Sequence, residues 1–279
     1  MLPDFLCIGA QRCGTTWLFE NLREHPEIFM PQRKELNFFS EIDGNYTKGL
    51  EWYKNHFNNA PKETLKGEIT PEYFVDSNAP EKISTTLGII KIIVILRNPL
   101  ERAYSSYGKG LREGNWNISF DEFVKTNMDY CIDRGKYYQQ LQPYIATFGK
   151  KNLLIKIYED IQTDPFKFIK DIYSFLGVSP DFISSQTDNK FNIGVSNKGP
   201  VLSFITLIRD LIYKTPLKNS IKFLQRNSLI NKFMRESLSS KKGIIQFSGW
   251  MKNEYYDDVK SLSVLLKRDM LLEWKLENE

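Results

Sequence analysis

The sequence predicts a three-layer α/β fold, in which helices flank a central parallel sheet. Apolar runs alternate along the chain with stretches of helical periodicity, as parallel strands joined by crossover helices require. The clearest strand is LGIIKIIVIL at residues 87–96, where β-branched residues dominate and Arg97 with Pro99 ends the run. These observations favour a sheet whose central strands are buried on both faces.

Each remaining element follows from its local pattern. Phe5 to Ile8 is predicted as the first strand, and Thr16 to Arg23 as the start of the first helix. Asp164 before Pro165 caps a further helix, which Gly177 closes. The other predicted elements are helices at 80–87, 99–112 and 119–127, a strand at 152–161, and a long polar loop at 184–200.

Length and charge bound the class of protein. A chain of 279 residues with 41% hydrophobic residues predicts one domain over 1–279, with a core at about 1–200 and a helical part at about 201–279. The net charge of +4, from 38 basic and 34 acidic residues, argues against a dedicated nucleic-acid binder and suits an anionic ligand.

Three cysteines, Cys7, Cys13 and Cys131, have no metal-ligand spacing and are an odd number. They predict reduced thiols rather than a disulfide framework or a zinc site, and no metal is expected. No charged and apolar leader precedes the first strand, and no run of eighteen apolar residues follows. We therefore expect a cytoplasmic protein.

The segment FLCIGAQRCGTTWLFENL carries the strongest local signal for binding. A strand, a glycine-containing turn and a helix point backbone N–H groups and a positive helix end at one spot, which favours phosphate or sulfate. The spacing from Gly9 to Gly14 copies the first six positions of the nucleotide-binding P-loop, so the predicted fold is P-loop-like. Thr15 replaces the expected lysine, and the basic residue is Arg12.

Several interpretations of this loop remain open on local grounds. An ordinary helix start is one. A P-loop kinase or NTPase is another, but it needs the missing lysine and an acidic residue at the end of a second strand, where Arg97 stands. The dinucleotide-binding pattern of three glycines is absent.

Several segments together resemble sulfotransferases that use 3′-phosphoadenosine 5′-phosphosulfate (PAPS). IGAQRCGTTWL is similar to their 5′-phosphosulfate loop, and VILRNPLERAYSSY to their 3′-phosphate motif. KELNFF and YTKGLEWY resemble the heparan-sulfate branch, whereas GEITPEYF, YEDIQTDPFKFIKDIYSFLGV and YYDDVKSLSVLLKRDMLLEW resemble bacterial members. The resemblance covers most of the chain and is weakest over 200–245. It implies the P-loop-like fold, PAPS as co-substrate and no metal.

The resemblance also implies which residues bind PAPS. Arg12 and the hydroxyls and amides that follow it would surround the sulfate–phosphate bridge, whereas Arg97 and Ser105 would hold the 3′-phosphate. Lys198 and Gly199 resemble a loop that closes over this phosphate, although a solvated turn is the alternative there. The implied PAPS-binding residues are Arg12, Cys13, Gly14, Thr15, Thr16, Trp17, Arg97, Ser105, Lys198 and Gly199.

Glu35 in RKELNFF matches the glutamate that glycan-modifying relatives use as catalytic base. A glutamate is ionised at neutral pH, and Arg33 and Lys34 favour the charged form. Arg12 is the second implied catalytic residue, acting on the charge of the leaving phosphate because a guanidinium cannot pass a proton. Neither His25 nor His56 stands where histidine-dependent relatives have their base.

Ile69 departs from the pattern, because the heparan-sulfate branch often has lysine there. Lys34 or Lys66 is a possible substitute, and Glu68 is a second candidate carboxylate with a structural role as the alternative. A non-catalytic nucleotide-binding module therefore stays open beside the enzyme.

The expected acceptor is a hydroxyl or amine of a carbohydrate-like molecule, including a lipid-linked glycan. Residues 201–235 interleave apolar side chains with seven Lys or Arg and one acid, Asp210. Such a stripe predicts either a helix face packed on its own domain or peripheral contact with an anionic membrane. The oligomeric state is left open.

Overall fold

The computed structural model describes residues 1–41, 44–113, 118–188 and 247–277. Within them, one parallel sheet has the strand order β2-β3-β1-β4-β5. Its strands are β1 Phe5–Gly9, β2 Ile28–Phe29, β3 Leu65–Ile69, β4 Lys91–Leu96 and β5 Leu153–Ile157. Because all strands run the same way, their carboxyl ends share one edge of the sheet, where ligands of open α/β folds bind.

Strand β1 lies between β3 and β4 at the centre of the sheet. Phe5 is in register with Gly67 on one side and with Lys91 on the other. The ring of Phe5 covers Gly67 so closely that a Cβ atom there would lie 2.0 Å from Phe5 Cζ. A glycine is thus required for this aromatic side chain to pack across the neighbouring strand.

Helices cover the sheet and extend from its edges. In the described ranges they are α1 Thr15–Glu24, α2 Gly49–Asn55, α3 Ala79–Leu87, α4 Pro99–Glu113, α5 Phe120–Thr126, α6 Met128–Cys131, α7 Tyr137–Phe148, α8 Tyr158–Thr163, α9 Pro165–Leu176, α10 Gly249–Leu266 and α11 Met270–Glu273. A 3₁₀ helix, Pro71–Val75, follows β3. None of the helices described is long and apolar enough to cross a membrane.

Most local predictions are confirmed, and two boundaries are wrong. The predicted strand 87–96 begins only at Lys91, because Leu87 ends α3 and Gly88 turns the chain with a φ of 76°. The predicted strand 152–161 ends at Ile157, and α8 follows at once. The cap of α9 is confirmed, since the Asp164 side chain accepts a hydrogen bond from Lys167 N. The predictions for 189–246 fall outside the described residues.

Glu24, at the carboxyl end of α1, joins that helix to the segment after α9. Its carboxylate accepts hydrogen bonds from Ser184 Oγ at 2.8 Å, Ser185 N at 2.7 Å and Gln186 Nε2 at 2.9 Å. These bonds, with that from Gln186 foremost, lower the pKa of Glu24 to about 2.

We expect Glu24 to stabilise the fold above pH 5 and to lose this contribution towards pH 2. A carboxyl group whose folded-state pKa lies below its unfolded value of about 4.3 stabilises only where it is ionised. The melting temperature of Glu24→Gln should therefore fall below wild type at pH 6 and match it near pH 2. Glu20→Gln, which removes an exposed ion pair with Arg23, is the control. A difference that stays constant with pH would contradict the prediction.

Candidate active site

The loop after β1 is hydrogen-bonded to the carboxyl end of β4. Ala10 N donates to Ile95 O at 2.8 Å, and α1 begins at Thr15. Two loop residues have left-handed backbone, Arg12 with a φ of 69° and Gly14 with a φ of 88°. Left-handed backbone at a non-glycine residue costs energy and clusters at functional sites. Sequence reasoning did not foresee this conformation of Arg12.

Arg12, Ser105 and Arg97 lie together, although they are far apart in the sequence. Arg12 Nε donates to Ser105 Oγ at 3.1 Å, and Arg97 Nη1 donates to Arg12 O at 3.4 Å. Ser105 faces the loop from α4, and Arg97 stands directly after β4. The structure therefore brings two guanidinium groups and a hydroxyl to one side of the loop.

Arg97 has hydrogen-bonding capacity left for a ligand. Its Nη2 donates to Glu101 Oε2 at 2.8 Å, and its guanidinium lies 4.7 Å from the ring centroid of Tyr158. Its Nε is buried and has no partner among the described residues. A buried charged donor without an acceptor is costly. The residues present therefore fit an anionic ligand such as a phosphate.

The other predicted PAPS-binding residues occupy different surroundings. Thr15 and Trp17 are buried, and the Trp17 indole donates to Thr187 O at 3.1 Å, whereas Thr16 is partly exposed. Cys13 is buried, and burial raises the pKa of its thiol to about 12, so it remains protonated. Lys198 and Gly199 lie outside the described residues.

We expect Gly14→Ala to destabilise the protein by more than the left-handed backbone alone explains. That backbone costs about 1–2 kcal/mol for alanine, and a Cβ atom at Gly14 would also lie 2.9 Å from Tyr158 Cδ2. Gly177→Ala is the matched control, because Gly177 has a φ of 85° and a Cβ there meets only Lys91 Nζ at 3.6 Å. Urea denaturation should give the larger loss for Gly14→Ala. Equal losses would rule out a role for the Tyr158 contact.

Glu35 lies beside the carboxyl end of β3. Its backbone has a φ of 64°, and its N–H donates to Ile69 O at 3.1 Å. The carboxylate is paired with Lys34 Nζ, and 47% of the Glu35 side chain is exposed. A solvent-accessible carboxylate beside a cation, at the ligand-binding edge of the sheet, is able to accept a proton from a bound molecule.

Of the two lysines considered in place of the residue missing at position 69, only Lys34 is paired with Glu35. Ile69 itself is 1% exposed and pairs with Cys7 in the sheet. Lys66 lies at the opposite end of β3, where its Nζ donates to Thr64 O at 2.6 Å. Lys34 therefore brings an ammonium group to Glu35 from the same loop, whereas Lys66 lies at the far end of the strand.

A polar cluster that sequence reasoning missed braces the loop at Gln11. The Gln11 amide donates to Glu72 Oε1 at 3.1 Å and accepts from the Tyr130 hydroxyl at 2.9 Å. Arg134 Nη1 also donates to Glu72, at 2.9 Å. No local pattern marks Tyr130 or Arg134, because each meets the loop only through the tertiary fold.

Arg102 is a second residue that the sequence did not single out. Its side chain is 1% exposed and donates to the backbone carbonyls of Tyr130 and Cys131. A buried guanidinium is costly unless it is well paired. The sequence signal that could have pointed to Arg102 was its position within the motif RNPLERAYSSY.

The two histidines have contacts away from the loop. His25 is buried, with Nε2 3.0 Å from Ser179 O and Nδ1 accepting from Glu27 N at 3.1 Å. His56 packs edge-on against Trp52, with ring centroids 4.6 Å apart. His25 thus has structural hydrogen bonds at both ring nitrogens.

Comparison with known sequences identifies relatives of the chain. Residues 2–192 match the family model of the sulfotransferase domain. Bifunctional heparan sulfate N-deacetylase/N-sulfotransferase 4 of Mus musculus is 32% identical over 206 residues, 66% of this chain and 23% of that protein. Heparan sulfate glucosamine 3-O-sulfotransferase 3B1 of Mus musculus is 33% identical over 189 residues, 63% of this chain and 46% of that protein. The chain thus spans less than half the length of these relatives.

Among solved structures, a sulfotransferase from Alicyclobacillus acidocaldarius superposes with a TM-score of 0.71 and 22% identity, over 99% of both chains. At this identity the match concerns the fold. It confirms the predicted P-loop-like arrangement of a parallel sheet between helices.

Proposed function

Since this chain belongs to the sulfotransferase domain family, we propose that it transfers the sulfuryl group of PAPS to a hydroxyl or amine of a carbohydrate acceptor. One observation carries the proposal: Arg12, Ser105 and Arg97 converge beside the left-handed loop. Two fixed cations around a backbone anion site suit a nucleotide with phosphates at both ends of its ribose.

Each end of the donor has its own residues in this proposal. Arg97 and Ser105 bind the 3′-phosphate, which is consistent with Arg97 Nε having no partner in the part of the chain that the structure describes. Arg12, with the amides and hydroxyls from Cys13 to Thr16, surrounds the sulfate–phosphate bridge and stabilises the charge that builds on the leaving phosphate. The predicted contributions of Trp17, Lys198 and Gly199 remain predictions.

Transfer proceeds by direct in-line displacement. The Glu35 carboxylate takes the proton from the acceptor as its oxygen or nitrogen attacks sulfur. The bond from sulfur to the bridging oxygen breaks, and 3′-phosphoadenosine 5′-phosphate (PAP) leaves with the electron pair. In this mechanism Lys34, which is paired with Glu35, lies near the transferred sulfuryl group. Alignment and preset charges supply the acceleration, without a covalent intermediate.

The choice of a carbohydrate as acceptor is supported by the names of the similar proteins. Both Mus musculus proteins are named for sulfation of heparan sulfate, which supports a glycan as the acceptor class. The cytoplasm remains the proposed location, consistent with three unpaired, buried thiols. Contact of residues 201–235 with a lipid-linked glycan or a membrane is a prediction on residues outside the described ranges.

Calorimetric titration tests which nucleotide the protein binds. We expect PAP to bind without magnesium and more tightly than ATP with magnesium. The reverse preference would favour the kinase or NTPase alternative.

Incubation with ³⁵S-labelled PAPS tests the acceptor, with chemically desulfated heparan sulfate and a glycan extract of the source cells as probes. Label in a glycan fraction is the expected result. Binding of PAP with no label in either glycan or in any other extract fraction would favour the non-catalytic module.

A further inference from the structure

We propose that Glu68 is a positioning residue for sulfuryl transfer: through a buried network it holds the backbone that presents Glu35. The inference rests on the proposed role of Glu35 as base. It also gives Glu68 a different role from that of a second base, because its side chain is fully buried and cannot reach an acceptor.

Three of the four backbone N–H groups from Glu35 to Phe38 donate hydrogen bonds to the segment that starts at Glu68. Glu35 N donates to Ile69 O at 3.1 Å, and the backbone of Leu36, which follows, favours the charged form of the Glu68 carboxylate. The next two donate to hydroxyl groups, Asn37 N to Thr70 Oγ1 at 3.4 Å and Phe38 N to Tyr73 Oη at 2.8 Å. The loop has no regular secondary structure of its own, so these bonds define its path.

Glu68 is the point at which the network meets. Its Oε1 accepts from Thr70 Oγ1 at 2.7 Å and from Tyr73 Oη at 2.7 Å. Its Oε2 accepts from the hydroxyl of Tyr53, on α2. A carboxylate is the one common side chain that accepts this many hydrogen bonds without donating any.

Burial raises the pKa of the Glu68 carboxyl group, whereas the bonds from Tyr53, Thr70 and Tyr73 favour its ionised form. In that form Glu68 only accepts, which sets the direction of the neighbouring bonds. A hydroxyl has a single hydrogen atom, and both Thr70 and Tyr73 give theirs to Glu68. Their lone pairs are therefore left to accept from Asn37 N and Phe38 N. A side chain that donates hydrogen bonds at position 68 would no longer take the hydrogen atoms of the two hydroxyls. An apolar side chain would leave both hydroxyls free to rotate.

The loop needs such external support because it is locally unfavourable. Glu35 has a φ of 64° and Asn37 a φ of 53°, a region that is costly for residues with a Cβ atom. Such backbone persists only where its surroundings over-determine it. Weakening the Glu68 network should therefore let the loop relax and move the Glu35 carboxylate away from its productive position.

Hydrogen exchange tests the placement without any acceptor. In Glu68→Leu we expect the amides of residues 35–38 to exchange at least about tenfold faster, since bonds to several of them are weakened together. Glu68→Gln should give a smaller increase, because one carbonyl oxygen remains for Thr70 and Tyr73. Asp258→Asn is the matched control, a buried carboxylate that accepts from Tyr138 N and Gln139 N, away from the loop. Unchanged exchange at 35–38 in both Glu68 variants would overturn the proposal.

Steady-state kinetics, measured with the acceptor that becomes labelled, test whether the Glu68 network affects the rate of sulfuryl transfer. We expect kcat to fall in the order wild type, Glu68→Gln, Glu68→Leu, while KM for PAPS and the Kd of PAP stay within about twofold. The double variant Glu35→Gln/Glu68→Gln should be no slower than Glu35→Gln alone, because Glu68 acts through Glu35. Should Glu68→Leu not fold, Glu68→Gln and the isosteric Thr70→Val decide.

The outcomes separate the two proposals. A normal kcat in Glu35→Gln overturns Glu35 as base and the inference with it. A low kcat in Glu35→Gln together with a normal kcat in Glu68→Gln and Thr70→Val overturns only the inference. Multiplicative losses in the double variant would also overturn it, because they would mean that Glu68 acts independently of Glu35.

Discussion

Replacing Glu35 by glutamine should lower kcat by about 10²- to 10⁴-fold, the usual contribution of a positioned general base. The amide is the same size as the carboxylate but cannot take up a proton at neutral pH. The Kd of PAP should stay unchanged, because Arg12, Arg97 and Ser105 hold one another without Glu35. Initial rates of label transfer and calorimetry give the two quantities.

Glu41→Gln is the matched control for Glu35→Gln. Glu41 follows six residues later, and its exposed side chain is paired with Lys82 at 2.7 Å. We expect wild-type kcat in this variant. A loss of activity common to both glutamine variants would point to the summed charge of the loop rather than to a base at Glu35.

Replacing Arg97 by alanine should weaken PAP binding by about 10- to 100-fold, since a charge-assisted hydrogen bond contributes about 1.5–3 kcal/mol. Adenosine 5′-phosphate lacks the 3′-phosphate, so its Kd should stay nearly constant. The ratio of the two Kd values, measured by calorimetry, therefore reports on the 3′-phosphate alone.

Arg268→Ala is the control for the lost charge. Arg268 forms ion pairs with Asp160 at 2.7 Å and with Glu273, so its removal changes the net charge equally without touching the loop. We expect no change in the Kd ratio. If Arg97→Ala weakened both nucleotides equally, Arg97 would support the fold of the site rather than recognise the 3′-phosphate.

The donor side of the candidate site could be predicted because its signals are local. Gly9 to Thr16 and Arg97 follow two buried apolar strands directly, and the carboxyl ends of neighbouring parallel strands meet. Strand β3 was missed, since LKGEI carries Lys66, Gly67 and Glu68 and shows neither an apolar run nor regular alternation. It pairs with β1, whose Phe5 ring covers Gly67, a contact between residues that are far apart in the sequence.

The environment of Glu35 could not be predicted for a different physical reason. The motif gave the residue, but its left-handed backbone is maintained by hydrogen bonds from segments more than thirty residues away. The error over 158–161 is similar. The predicted strand extended to 161, whereas α8 begins at Tyr158 and Glu159 accepts from Asn98 N at 3.0 Å, a residue of a distant segment.

The central position of β1 bears on how chains of this kind can diverge. One neighbour, β4, leads to Arg97, and the other, β3, leads to the backbone that supports Glu35, while β3 and β4 do not pair with each other. Substitutions on the Glu35 loop can therefore alter the side proposed for the acceptor without changing Arg97 or Ser105, whereas substitutions at Glu72 would also disturb the loop at Gln11. The proposed acceptor side can thus diverge in sequence while the proposed donor side stays the same.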